Sequence, residues 1–169
     1  MARCLIIGCG CRGRSLAGEL VALGHAVRGT TRAETKLAAI GATGAEPVLG
    51  DPDVVGTLAR AFEHVTVACV LLGSATGTDA GLAALHGTRL DMLLTRMVDT
   101  TLRGVVYEAA GSVDPAVLAR GAALVQERCE DARIPYALLR ADPADHRAWT
   151  EAALAAVDSA LAGAGVGPR

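Results

Sequence analysis

Apolar positions along this chain fall into two alternating patterns. Short continuous runs suit buried strands, and longer stretches with apolar residues every third or fourth position suit helices packed on a sheet. Cys4-Leu5-Ile6-Ile7 is the first run, and Leu16, Leu20 and Leu23 form a helical stripe behind it that Gly24 stops. Ala26-Val27-Arg28-Gly29-Thr30-Thr31-Arg32 carries the second strand. Glu46-Pro47-Val48-Leu49 is a third, ending at Gly50-Asp51, and a helix over 53–62 follows that Asp51 and Asp53 can cap. Residues 65–72 are almost uninterrupted β-branched and aliphatic side chains, the pattern of a central parallel strand covered on both faces, and the run breaks at Gly73-Ser74.

A second helical stripe, Leu85, Leu90, Leu93, Leu94, Met97, Val98 and Leu102, runs through 82–102 before Gly104 closes it and Val105-Val106-Tyr107 starts a fifth strand. A helix from Pro115 to Ala132 comes next. Pro135 then keeps Ile134 extended and leads into a sixth strand, Tyr136-Ala137-Leu138-Leu139. The last helix covers about 147–161, and the tail carrying Gly163, Gly165 and Gly167 reads as frayed, so 1–162 is the expected domain and 163–169 a flexible end. Strands alternating with helices predict an α/β fold, a single doubly wound, mostly parallel sheet with helices on both faces.

Within that pattern Gly8-Cys9-Gly10-Cys11-Arg12-Gly13 stands between the first strand and the first helix, the context in which G-x-G-x-x-G binds a dinucleotide. Gly8 permits the tight bend, Gly10 lets a pyrophosphate approach the backbone and Gly13 lets helix and strand pack closely, while the helix N-terminus directs amide groups at phosphate. Ligands in such sheets lie at the carboxyl ends of the strands near the switch in strand order. One site is therefore expected from Gly8, Cys9, Gly10, Cys11, Arg12 and Gly13 with Thr30, Thr31, Arg32, Asp51, Leu72, Gly73, Ser74 and the residues after Tyr107. The second strand ends in Thr30-Thr31-Arg32 with no carboxylate to hold ribose hydroxyls, and both Arg32 and Arg12 suit a 2′-phosphate, so NADP(H) is favoured over NAD(H).

Composition narrows the classes further. A chain of 169 residues fits one domain and leaves no room for a large separate substrate domain. Hydrophobic residues make up 51% and mean hydropathy is +0.37, yet the most apolar stretch, 65–72, is far shorter than a membrane span. Cys4-Leu5-Ile6-Ile7 is too short for a signal peptide and meets Arg12 and Arg14 at once, which points to the cytoplasm. A net charge of -2 with 2% aromatics provides neither the basic field nor the stacking groups of a nucleic-acid reader.

The five cysteines, an odd number, argue against a secreted disulfide framework, and no second ligand pair accompanies Cys9 and Cys11 to build a metal site. Cys4 and Cys69 read as small core residues. Cys9 and Cys11, at a helix N-terminus beside Arg12, are placed where a thiolate is favoured, and their oxidation would block the pyrophosphate site.

The glycine loop, Gly50-Asp51 with Asp53, His86-Gly87-Thr88-Arg89, Val105-Val106-Tyr107 and Pro135-Tyr136-Ala137-Leu138-Leu139-Arg140 occur in an order that resembles the atypical and extended short-chain dehydrogenase/reductase superfamily, with its epimerase-like and NmrA-like branches, over roughly residues 3 to 141. The resemblance implies an NAD(P)-binding Rossmann fold. It also implies that Asp51 hydrogen-bonds adenine, an alternative to helix capping, and that Gly73-Ser74 lies along the cofactor.

The chain departs from that family at its chemistry. The family uses a Tyr-x-x-x-Lys pair with a Ser or Thr after the fifth strand, but the helix from Pro115 to Ala132 carries Leu118, Ala119, Ala122 and Ala123 where the pair is expected. Lys36 is the one lysine, near the second strand, and Ser112 is a displaced counterpart of the serine. Tyr107, Tyr136 and His86 read as packing residues. Glu108, closing the fifth strand, is the alternative acid or base if desolvation raises its pKa, against a solvated or salt-bridged glutamate. Trp149, the single tryptophan, either anchors a short lid over the substrate side or packs its helix on the core.

Three readings stay open. One is an NADPH-dependent reductase or epimerase using other residues. The second is a binding module that senses NADP(H) and signals to a protein partner, as some NmrA-like relatives do. The third is a ligand-free homodimeric scaffold with the 82–102 helix as its dimer face.

Overall fold

A computed structural model describes residues 1–163, so Gly165 and Gly167 of the expected tail lie outside the described residues. Six strands, β1 (Arg3–Ile7), β2 (Ala26–Thr31), β3 (Glu46–Leu49), β4 (Val67–Val70), β5 (Gly104–Glu108) and β6 (Tyr136–Leu139), form a parallel sheet in the order β3-β2-β1-β4-β5-β6. The order turns back between β1 and β4, where a crevice opens at the carboxyl ends. Strand residues alternate between the two faces, so Leu5 and Ile7 pack into one core and Cys4 and Ile6 into the other. Five strands match the predicted bounds to within a residue. The apolar run 65–72 is longer than β4 because Val65, Leu71 and Leu72 are buried outside the ladder; a continuous apolar run reports burial on both sides rather than pairing.

On one face lie α1 (Cys11–Ala22) and α6 (His146–Leu161), which bury Leu16, Leu20, Trp149, Ala153 and Val157 against Cys4, Cys69 and Val106. Leu23, expected in the α1 stripe, is instead the helix C-cap and largely exposed. Between β2 and β3 the chain forms the short α2 (Leu37–Gly41), whose Ile40 seals that side of the core.

The other face is covered by a 3-10 helix, Val55–Phe62, and by α3 (Asp79–Ala84), a π turn (Leu85–Arg89), α4 (Leu90–Val98) and α5 (Pro115–Ala132). The 3-10 helix replaces the α-helix expected over 53–62 and begins without a side-chain cap. Asp51 instead accepts the Asp53 N–H at 2.9 Å, closing a turn ahead of it. Arg28, buried within β2, donates through Nη1 to the carbonyls of Arg60, Ala61 and Glu63 while its Nε pairs with Glu46 at 3.0 Å. This cation satisfies the last carbonyls of the 3-10 segment.

The stripe expected over 82–102 belongs to two helices joined by the π turn and ends at Val98. Leu85, Leu90, Leu93, Leu94 and Met97 are all buried in the protein's own core. Val98, at the end of the stripe, and Met92 beside it stay exposed. Among the described residues no helix is long and apolar enough to cross a membrane.

Candidate functional site

The glycine turn is held by β2. Gly8 N–H donates to Thr30 Oγ1 at 3.3 Å, Cys9 N–H to the Thr30 carbonyl at 2.9 Å, and Thr30 is buried. Gly8 has φ +83°, and a Cβ there would meet the Leu71 carbonyl oxygen at 2.6 Å, so both conformation and space demand glycine. A Cβ on Gly13 would press on the Gly8 carbonyl and Ile6 at 3.2–3.3 Å, the close helix–strand approach expected of it. Gly10 differs, since a Cβ there would meet nothing within 4 Å. Gly10 is also the N-cap of α1 and has no side-chain cap. The first amides of this helix therefore face an open cradle, which fits a diphosphate.

A cleft of about 560 Å³ extends from this cradle along the carboxyl edge of the sheet. At its β2 end it is lined by Thr31, Arg32, Lys36, Gly50, Pro52 and Asp53. Arg32 and Lys36 are exposed. Lys36 was not expected in the site; it ends the 3-10 turn Glu34–Lys36 that follows β2 and lines the cleft there. Asp51, whose carboxylate accepts the Asp53 N–H, does not line the cleft, whereas Gly50, Pro52 and Asp53 around it do.

At the opposite end stand Leu72, Ser74, Glu108 and Trp149. Arg12 reaches out of the first turn of α1, over β4, to donate through Nη2 to Ser74 Oγ at 2.9 Å and to Glu108 Oε1 at 3.3 Å. Its guanidinium lies 5.4 Å from the centre of the Trp149 ring. Arg12 therefore points away from β2, and of the two arginines expected at a 2′-phosphate only Arg32 is on that side.

Glu108 is 1% exposed and accepts three N–H donors, from Arg12 and Trp149 on Oε1 and from Gly73 at 2.8 Å on Oε2. Burial pushes its carboxyl above the usual range, and Gly73, Arg12 and Trp149 pull it back. The solvated glutamate is excluded: Glu108 is salt-bridged to Arg12, and desolvation leaves its carboxyl raised on balance, the condition set for an acid or base. Trp149 is fully buried and fastens α6 to β5 through this carboxylate, so the side chain considered as a lid anchor packs in the core. Its indole N–H is the donor that no sequence pattern signalled.

Ser112 is exposed and outside the cleft. The loop after β5 folds inward at Gly111 instead, its backbone packed directly on Gly73, and Val113 N–H donates to the Gly73 carbonyl at 3.0 Å. Gly73 is buried beneath that contact and does not line the cleft. His86, in the π turn, receives the Tyr107 hydroxyl on Nδ1 at 2.6 Å and donates from Nε2 to the Leu72 carbonyl at 3.1 Å. Burial lowers the imidazole pKa and raises that of the Tyr107 phenol.

Cys4 and Cys69 are core residues, as expected. Cys9 is also buried, with its Sγ packed under Gly29, and burial pushes its thiol up to about 11, with Arg14 opposing only weakly. Burial thus opposes the thiolate expected at Cys9: its side chain packs into the core, while the residue lines the cleft with the rest of the glycine turn. Cys11 is exposed and lines the cleft.

No family model matches the chain, and no curated protein matches it in sequence. Solved structures do. A short-chain dehydrogenase/reductase superfamily protein from Agrobacterium tumefaciens with bound NAD is 19% identical with a TM-score of 0.67, covering 82% of this chain and 48% of its own. A UDP-glucose 4-epimerase from Thermotoga maritima is 12% identical with a TM-score of 0.69, covering 82% and 54%. A triphenylmethane reductase from Citrobacter complexed with NADP(H) is 19% identical with a TM-score of 0.61, covering 82% and 48%. The chain spans about half the length of these proteins. At such identities the likeness shows the fold, the α/β Rossmann architecture of short-chain dehydrogenase/reductase structures.

Proposed function

We propose that residues 1–162 form a dinucleotide-binding domain that takes NADP(H) in preference to NAD(H), without the Tyr-x-x-x-Lys chemistry of the enzymes it resembles. One observation carries this reading: the uncapped α1 N-terminus, the open face of Gly10 and the free cations Arg32 and Lys36 all border one cleft. Amide dipoles suit the diphosphate, and the two cations at the end of β2 suit a 2′-phosphate, with Asp53 the carboxylate that lines the same end of the cleft. Asp53 is the acid nearest the expected adenine position. Solved neighbours bound to NAD and to NADP(H) support a nicotinamide dinucleotide as the ligand class.

The helix expected to carry the tyrosine and lysine has Leu118 and Ala122 buried in those places. Glu108 holds three N–H donors already, which supports binding over proton transfer. A sensor that reports to a protein partner is the function that fits. Five free cysteines, four of them buried, support action in the reducing cytoplasm.

Calorimetric titration with NADPH and NADH tests the reading. NADPH should bind at least tenfold more tightly than NADH, and Arg32→Ala should remove most of that difference, about 1.4 kcal/mol. Equal affinity for the two in the unmodified protein would refute the preference, and binding of neither would refute the cofactor.

A further inference from the structure

The proposed dinucleotide has two halves, and the two ends of the cleft do not treat them alike. With the diphosphate at the glycine turn and the adenosine toward β2, the nicotinamide half must run over the ends of β4 and β5. Arg12 lines that path on the β5 side, and Ala75, Thr76, Gly77, Thr78, Leu82 and Leu85 line it on the other. Its guanidinium is tied to Ser74 on the β4 side and to Glu108 on β5, and rests on Trp149 of α6.

The bridge is not easily withdrawn. Glu108 is 1% exposed, and swinging Arg12 aside would leave a buried carboxylate without its cation. Even the cost of placing Arg12 there is visible, because its Nε is buried with no hydrogen-bond partner. The floor beneath cannot recede either. Gly73 and Gly111 are packed backbone to backbone, and a Cβ on either would collide with the other loop.

We infer that Arg12 walls off the nicotinamide end of the cleft, so that the protein recognises the 2′-phosphoadenosine diphosphate half of NADP(H) and leaves the nicotinamide in solvent. The inference rests on the dinucleotide reading above. Its consequence is that the protein responds to the total NADP(H) pool and not to its oxidation state. NADPH, NADP⁺ and the nicotinamide-free fragment present the same recognised surface.

The test compares NADPH, NADP⁺ and 2′-phospho-ADP-ribose by calorimetry on the full chain, with nicotinamide fluorescence followed in parallel. The three should agree within threefold, and NADPH emission should keep its wavelength and intensity on binding. Either dinucleotide binding tenfold or more above the fragment would overturn the inference while leaving the cofactor reading intact. Absence of binding by all three would overturn both. In Arg12→Ala/Glu108→Gln, which opens the wall without stranding a charge, NADPH should gain at least tenfold over the fragment. An unchanged ratio in that folded variant would show that Arg12 is not the barrier.

Discussion

The two ends of the cleft are built on opposite principles. Near β2, Arg32 and Lys36 are exposed cations at the edge of an open glycine cradle. Near β5, Arg12, Glu108, Trp149, His86 and Tyr107 lie in or against the core and bond to one another or to backbone. Free charges at the first end are available to a ligand and contribute little to stability. Paired charges at the second end are already satisfied, so removing one leaves others buried and unpaired. Both ends border the same cleft, and position along the sheet alone would assign both to ligand binding.

Breaking the β5 end should therefore have the largest effect. Glu108→Ala strands the Arg12 guanidinium, the Trp149 indole N–H and the Gly73 N–H together, and should cost about 4 kcal/mol in urea unfolding. A loss below about 1 kcal/mol would mean that the cluster is a loosely bonded surface group.

Next comes Gly121→Ala on α5. A Cβ there would collide with the Tyr107 hydroxyl, which bonds His86, so the dyad must separate or the helix must shift. About 2 kcal/mol of destabilisation is expected from this overpacking, although alanine is the better helix former. A variant as stable as the parent would show that α5 stands further from β5.

The dyad also predicts a pH dependence. Burial holds His86 below its ordinary value, with the Leu72 carbonyl opposing only in part. Below pH ~6.5 the unfolded chain takes up this proton before the folded one does, so stability falls with pH. Between pH ~6.5 and ~5.5 the protein should lose about 1 kcal/mol relative to His86→Gln, measured as the difference between the two stability profiles. Parallel profiles would contradict the buried neutral imidazole.

At the β2 end the stability effect should be smallest. Arg32→Ala is expected to move the unfolding free energy by less than about 0.5 kcal/mol even where it lowers NADPH affinity tenfold. A large loss of stability there would erase the contrast between the two ends.

Most of the architecture was legible along the chain. Parallel strands buried on both faces leave continuous apolar runs, and helices leave a stripe at their own period, so β3, β6 and α5 fall at the residues expected. The demands on Gly8 and Gly13 were equally readable, because only glycine satisfies a left-handed turn or a helix packed hard on a strand. Side-chain direction was not legible along the chain. Asp51 turns back on its own backbone and Cys9 turns into the core, while Lys36 lines the cleft at the end of a 3-10 turn that has no apolar period.

The sequence by itself determined the alternation of strand and helix, the glycine turn at the first crossover and the absence of an acid from Thr30-Thr31-Arg32 at the end of the second strand. These are properties of neighbouring residues, set by local sterics and the period of apolar positions. The tertiary structure alone decided that Arg12 meets Glu108, 96 positions away, that Trp149 donates to the same carboxylate and that His86 takes the Tyr107 hydroxyl. Those pairings exist because the sheet order sets β1 beside β4 and β4 beside β5. Charged and polar groups far apart in sequence find one another only where burial makes an unpaired group too costly to leave alone.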